Sequence, residues 1–153
     1  MNTFEEVLAK DGKLVYKTKG SSMLPLVRQD KDLVIIEAPP SRLKAMDVAL
    51  YKRGSNYILH RVIRVEDGYY LIRGDNTYML ESVPDTAVIG ILTGFQRNGK
   101  EVSVSNRLYR LYSRIWNILY PLRFFCVCIR RSAVRFARWS GILPIIKKVV
   151  RRE

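Results

Sequence analysis

The period of the apolar residues changes at Asn106, and no other feature of this 153-residue chain constrains the fold as much. Before that point the apolar residues come in short runs rich in Val, Ile, Leu and Tyr, of the length and spacing of strands. The runs are KLVYK (13–17), DLVIIE (32–37), DVALYKR (47–53), NYILHRVIRVE (56–66), GYYLIRG (68–74), AVIGILTGFQR (87–97) and KEVSV (100–104). Their connectors carry turn residues, Arg53-Gly54-Ser55-Asn56, Glu66-Asp67-Gly68 and Arg97-Asn98-Gly99, and the Asp-Gly and Asn-Gly pairs predict hairpins. Ahead of them, TFEEVLAK (3–10) reads as one or two helical turns capped by Thr3 and stopped at Asp11-Gly12. After Asn106, Leu108, Leu111, Tyr112, Ile115, Leu119 and Leu122 fall at helical spacing, with Arg107, Arg110 and Arg114 turned to another face. Pro121 is expected to kink or end that helix, and a second basic and apolar segment follows at 123–139 before Gly141 and Pro144 break it.

The expected fold is therefore mainly β, with a short N-terminal helix and an amphipathic helical tail. Charge divides the chain at the same place. Residues 1–105 hold 15 Lys+Arg and 13 Asp+Glu, a net +2, while residues 106–153 hold 12 basic residues against Glu153 alone, a net +11. Two parts are expected: a β-rich body over 1–105, and a basic tail over 106–153 that the body does not need in order to fold. No metal or other cofactor is expected. Cys126 and Cys128 form neither a disulfide framework nor a zinc set, and His60 is the one histidine. The N-terminus is polar and acidic and does not read as a signal peptide.

The stretch KGSSMLPLVRQDKDLVII (19–36) raises the question of chemistry. A serine hydroxyl is a poor nucleophile without a base to take its proton. His60, the one side chain that ordinarily titrates near neutral pH, lies within a strand-like run, and Gly74-Asp75-Asn76 ends another. Taken singly, Ser21-Ser22 is a polar turn and Gly-Asp-Asn a loop.

Together they resemble a family. The ordered set Ser22-Met23-Leu24-Pro25, Asp32-Leu33-Val34, Met46-Asp47-Val48-Ala49, His60-Arg61-Val62-Ile63 and Gly74-Asp75-Asn76 is similar to the boxes of type I signal peptidases and their relatives. It spans about residues 19–97. The resemblance selects Ser22 over Ser21 as nucleophile. It puts His60 where bacterial members usually carry a lysine, as in the endoplasmic-reticulum and archaeal branch. It implies coiled antiparallel sheets, cleavage of peptide bonds after small side chains, and Asp75 as the acid that orients His60, with Glu81 and Asp85 as nearby alternatives. An oxyanion hole is expected from the backbone of Ser22 and Gly20. Lys52 is the alternative base. Lys31 and Met46 stand where the family has glycine, the last box diverges after Asn76, and the family's N-terminal anchor is missing.

The expected substrate is a peptide or secreted precursor. The segment 115–129 is short of the ~20 apolar residues that span a bilayer. Its aromatic residues and flanking arginines suit a helix lying on an anionic lipid surface, so membrane attachment through 106–153 is expected. The alternative is that the stripe packs on the body's own sheet. The lack of a signal peptide favours the cytoplasmic face, whereas cleavage of signal peptides would need the other. Two other functions compete: a catalytically inactive binding module of the same fold, and a nucleic-acid binder using the basic tail. Nucleic acid is not expected as a partner, because no helix-turn-helix precedes the β-body.

Overall fold

A computed structural model describes residues 3–39 and 41–139; the expected breaks at Gly141 and Pro144 lie outside the described residues. Helix α1 (Phe4–Asp11) is closed at its start by a reciprocal capping box. Thr3 Oγ1 accepts from the N–H of Glu6 at 3.2 Å, and Glu6 Oε2 accepts from the N–H of Thr3 at 3.0 Å. These two bonds satisfy donors that a helix start otherwise leaves open. Gly12, left-handed at φ +68°, ends the helix.

Eight antiparallel strands follow: β1 (Lys13–Lys17), β2 (Leu33–Glu37), β3 (Val48–Arg53), β4 (Asn56–Glu66), β5 (Tyr69–Arg73), β6 (Glu81–Pro84), β7 (Val88–Arg97) and β8 (Lys100–Ser103). Their order is β1-β2-β7-β3-β4-β5-β6, with β8 paired to β7. The mainly β architecture expected from the short apolar runs and their turns is thus the one observed. The tight turns at Asp67-Gly68 and Asn98-Gly99 join β4 to β5 and β7 to β8. Strand β6 was not expected: it is four residues long and ends in proline, which an edge position tolerates.

Strand β3 is buried on both sides, and its alternation divides the core. Val48 and Leu50 join Leu8, Val34, Ile36, Leu59, Leu92 and Phe95. Ala49 and Tyr51 join Leu43, Val62, Tyr70, Ile72 and Val83. The turn after β3 pairs Arg53 with Asn56, and counting back pairs Ala49 with His60 and Val48 with Arg61. His60 and Arg61, adjacent in β4, therefore point to opposite faces. That split decides how the site is built.

Helix α2 (Arg107–Ile118) covers the Arg61 face. The chain divides into the compact units Met1–Asn117 and Ile118–Glu153, so all but the last residue of α2 belongs to the body. The boundary differs from the one expected at 105/106, and the reason is a set of side-chain bonds. Arg61 Nη1 donates to Ser113 Oγ at 3.1 Å, Arg73 Nη2 to Asn117 Oδ1 at 2.9 Å, and Trp116 Nε1 to the carbonyl of Asp75 at 2.9 Å. The stripe Leu108, Leu111 and Ile115, weighed above as a possible packing face, is instead exposed.

In the second unit, α3 (Tyr120–Trp139) holds Pro121 in its first turn, where the missing N–H is harmless. Helix α2 stops before it, as expected of a proline there. Among the described residues no helix is long and apolar enough to cross a membrane.

Candidate active site

Ser22 opens the turn that follows β1, and two clasps fix it. On one side Asp32, whose side chain is fully buried, receives Arg28 Nη2 at 2.7 Å and Arg97 Nη2 at 2.9 Å. Arg97 Nη2 also donates to the carbonyls of Pro25 and Leu26 at 3.1 and 2.7 Å, tying down the chain just past the serine. On the other side the N–H of Asn76 donates to the carbonyl of Ser22 at 2.7 Å, and Asn76 Nδ2 to that of Ser21 at 3.2 Å. Between them lies Gly74. A Cβ there would sit 2.7 Å from the Ser22 carbonyl oxygen and 3.0 Å from His60 Nε2. Only glycine lets the β5 end close against both groups. The same distances put Nε2, and not Nδ1, on the side of the imidazole toward Gly74 and the Ser22 carbonyl.

Ser22 and His60 line one cleft of ≈380 Å³, with Gly20, Lys19, Thr18, Tyr16, Tyr57 and Glu81 among its other walls. Gly20, left-handed at φ +89°, lines the same cleft. Ser21 is not among the lining residues. Among the described residues the Ser22 hydroxyl makes no hydrogen bond, so it is free to turn toward the imidazole or a substrate. Such bonds commonly tighten only when substrate is bound.

The far side of the imidazole is held by Tyr51, which sequence reasoning did not assign to it, and by Glu81, which it named as an alternative acid. His60 Nδ1 lies 3.2 Å from Tyr51 Oη, and Tyr51 Oη donates to Glu81 Oε2 at 2.7 Å. Arg53 Nη1 reaches the same carboxylate oxygen at 2.7 Å, and Glu81 Oε1 is 3.7 Å from Nδ1. A phenol has one proton. With that proton given to Glu81, Tyr51 Oη can only accept from His60, which puts the hydrogen on Nδ1 and the lone pair on Nε2. That is the tautomer a general base facing Ser22 needs. Burial lowers the pKa of His60 below its ordinary value; the Glu81 carboxylate pulls it back up, Arg53 pushes it down, and Asp75 raises it to a lesser extent.

Asp75, expected as the acid that orients His60, is committed elsewhere. Its two oxygens receive Arg61 Nε at 2.7 Å and Nη2 at 2.8 Å, and both side chains are almost fully buried. The physical reason is the strand pleat: Asp75 meets the face of β4 that carries Arg61, while Glu81 shares the face of His60. Burial works against the Arg61 charge, and the Asp75 hydrogen bonds more than offset it, leaving the guanidinium firmly protonated. Asp85 lies beside Arg42 at 3.5 Å, and Lys52, the alternative base, is bound to Glu5 at 2.8 Å on the surface.

Tyr51 was legible as part of the strand-like run 47–53 but not as a partner of His60. The missing signal is hairpin arithmetic: a register pairing residues 53 and 56 pairs 49 with 60 and makes Tyr51 the diagonal neighbour of His60 on the same face. A comparison with protein-family models finds no match, and a comparison with curated proteins finds none.

Proposed function

We propose that the protein is a serine endopeptidase of the Ser–His type, similar to type I signal peptidases, acting on an extended peptide or precursor. The observation that carries this reading is the state of His60. Its Nε2 lies beside Gly74, which abuts the Ser22 carbonyl, in the cleft that Ser22 and His60 both line, and Tyr51, donating to Glu81, holds the ring in the basic tautomer.

In this reaction Ser22 Oγ bonds to the scissile carbonyl carbon as its proton passes to His60 Nε2. The carbonyl oxygen becomes an oxyanion facing the N–H groups of Ser22 and Gly20. The imidazolium then returns the proton to the leaving amine as the C–N bond breaks, leaving an ester on Ser22. Water, deprotonated by the same nitrogen, hydrolyses that ester and frees the hydroxyl. Tyr51 and Glu81 act through His60 as positioning residues and stabilise the cation that forms.

The test is incubation with a peptide library, read by mass spectrometry. Wild type and Ser21→Ala are expected to cleave, and Ser22→Ala and His60→Ala to lose cleavage. Persisting cleavage by Ser22→Ala, or full activity in His60→Ala, overturns the assignment.

A further inference from the structure

Helix α2 is inverted relative to an ordinary surface helix. Its inward side is polar and aromatic: Tyr109 and Ser113 are buried, and Ser113, Trp116 and Asn117 bond to Arg61, Asp75 and Arg73. Its apolar residues face out, with Leu108 75%, Leu111 55% and Ile115 46% exposed. In a soluble helix the apolar stripe supplies the packing. Here side-chain hydrogen bonds to a buried arginine cluster attach the helix, and the stripe is left for another partner.

Charge identifies that partner. Arg107, Arg110 and Arg114 lie on the same helix, and residues 106–152 contain no Asp or Glu. A second copy of the chain would bring like charges together along the seam, which opposes pairing. A nucleic acid would engage the arginines and leave the leucines in water. An anionic bilayer surface satisfies both, because head groups meet the cations while the acyl boundary takes the apolar side chains. We propose that α2 lies in the interface of an anionic membrane, with Leu108, Leu111 and Ile115 inserted and Arg107, Arg110 and Arg114 against phosphate head groups. Since the inner face of the same helix holds Asp75, the residue after Gly74, the docked surface and the catalytic turn are fixed to one rigid element. The proposal does not depend on the peptidase reading.

The test uses full-length Ser22→Ala protein, so that proteolysis plays no part, in flotation with vesicles of phosphatidylcholine alone or mixed with phosphatidylglycerol. Flotation is expected with the anionic vesicles and is expected to weaken with added salt. Two triple variants follow: Leu108→Gln/Leu111→Gln/Ile115→Gln, and Arg107→Gln/Arg110→Gln/Arg114→Gln. Each is expected to lower partitioning on the order of tenfold or more while leaving Tm unchanged, because the substituted side chains are exposed. If the apolar triple variant fails to fold, Leu111→Glu alone serves the same purpose. Wild-type partitioning in the variants, which would assign binding to residues 118–153, overturns the proposal. So does a dimer in sedimentation velocity that the apolar variant dissociates, which would assign the face to a second copy.

Discussion

Two carboxylates stand on opposite sides of β4, and they do different work. Asp75 is bound by Arg61 through two short hydrogen bonds in a site almost closed to solvent. Glu81 stands 26% exposed at the cleft, sharing Arg53 and Tyr51 and reaching His60 through the phenol. The carboxylate within a recognisable motif supports the chain; the one outside it faces the imidazole. A buried charge pair makes a rigid mount but cannot easily serve a reaction, since any change of charge there is heavily penalised. A partly hydrated carboxylate behind a phenol can stabilise a nearby cation that forms and disappears. The same division extends to Asp32, clasped by Arg28 and Arg97, and to Asp47, whose Oδ2 accepts from the N–H of Lys44 at 2.8 Å.

The largest expected effect comes from breaking the Arg61 side. Asp75→Asn leaves a buried guanidinium without its counter-charge, a loss of about 3–5 kcal/mol. In a body of this size Tm is expected to fall by more than about 10 °C, measured by thermal unfolding. In the protein that remains folded at low temperature, the acid limb of kcat/KM should move less than in Glu81→Gln, because Glu81 acts on His60 more strongly than Asp75 does. A variant with wild-type Tm and no turnover would return Asp75 to the role of orienting acid and reverse the comparison.

Breaking the His60 side is expected to do the opposite. Tyr51→Phe keeps the shape of a fully buried ring and removes the acceptor for Nδ1–H, so kcat should fall by about a hundredfold, the lower end of a general-base contribution, with little change in KM. Glu81→Gln keeps an acceptor for the phenol but removes the charge that raises the His60 pKa. Burial already sets that pKa below 6.5, so the acid limb of the wild-type kcat/KM is expected below pH 6.5, and in Glu81→Gln lower still. Profiles of kcat/KM against pH for the three proteins decide the point; an unmoved limb in Glu81→Gln would remove Glu81 from the reaction.

Strands were legible in the sequence because each is a short run rich in Val, Ile, Leu and Tyr, several of them bounded by turn residues, so β1 and β4 were read with their observed bounds and most others to within a residue. Ser22 and His60 were picked out through their motifs, and both line one cleft. The resemblance put Asp75 ahead of Glu81 as the acid, because a motif records which residues recur together and not which face of a strand each meets. His60 and Arg61 are neighbours in sequence and face apart in space, and the position of Asp75 in line with the other boxes gave no hint of it. The inner face of helix α2 was missed for a related reason. Its apolar stripe at 108, 111 and 115 has the spacing of a packing face, whereas its true inner face, Tyr109, Ser113 and Asn117, makes sense only once Arg61 and Arg73 are known to be buried beneath it.

Asp32 extends the scaffold side of the comparison to acid stability. Burial works against its charge, but hydrogen bonds from Arg28 and Arg97 overcome that and lower its pKa from 3.8 to about 2. A folded-state pKa below the unfolded value contributes stability in full above the unfolded value, near pH 3.8, and loses it as pH falls through about 2. The contribution is about 2 kcal/mol at neutral pH by proton linkage. Acid titrations of stability should therefore steepen between pH 4 and pH 2 in wild type, and Asp32→Asn should flatten that window while lowering stability at pH 7. An unchanged slope would show that the clasp does not hold the serine turn through its charge.

The smallest effect sharpens the comparison without breaking either side. The backbone of Met46 is left-handed at φ +80°. A side chain in that region crowds its own carbonyl, at a cost on the order of 1–2 kcal/mol. The strain is held in place because the Met46 carbonyl accepts from Arg61 Nη1 at 2.9 Å and its N–H donates to the Val62 carbonyl at 2.9 Å. Both bonds are made by backbone atoms and survive substitution. Met46→Gly should relieve the strain, lose part of it again to the greater freedom of the unfolded chain, and stabilise the body by ~1 kcal/mol net in denaturant unfolding. Because the change lies on the Arg61 face, the acid limb of kcat/KM should not move. A destabilised Met46→Gly would mean that the half-buried methionine contributes more by packing than its backbone loses by strain, and a shifted limb would mean that the two faces of β4 are not independent.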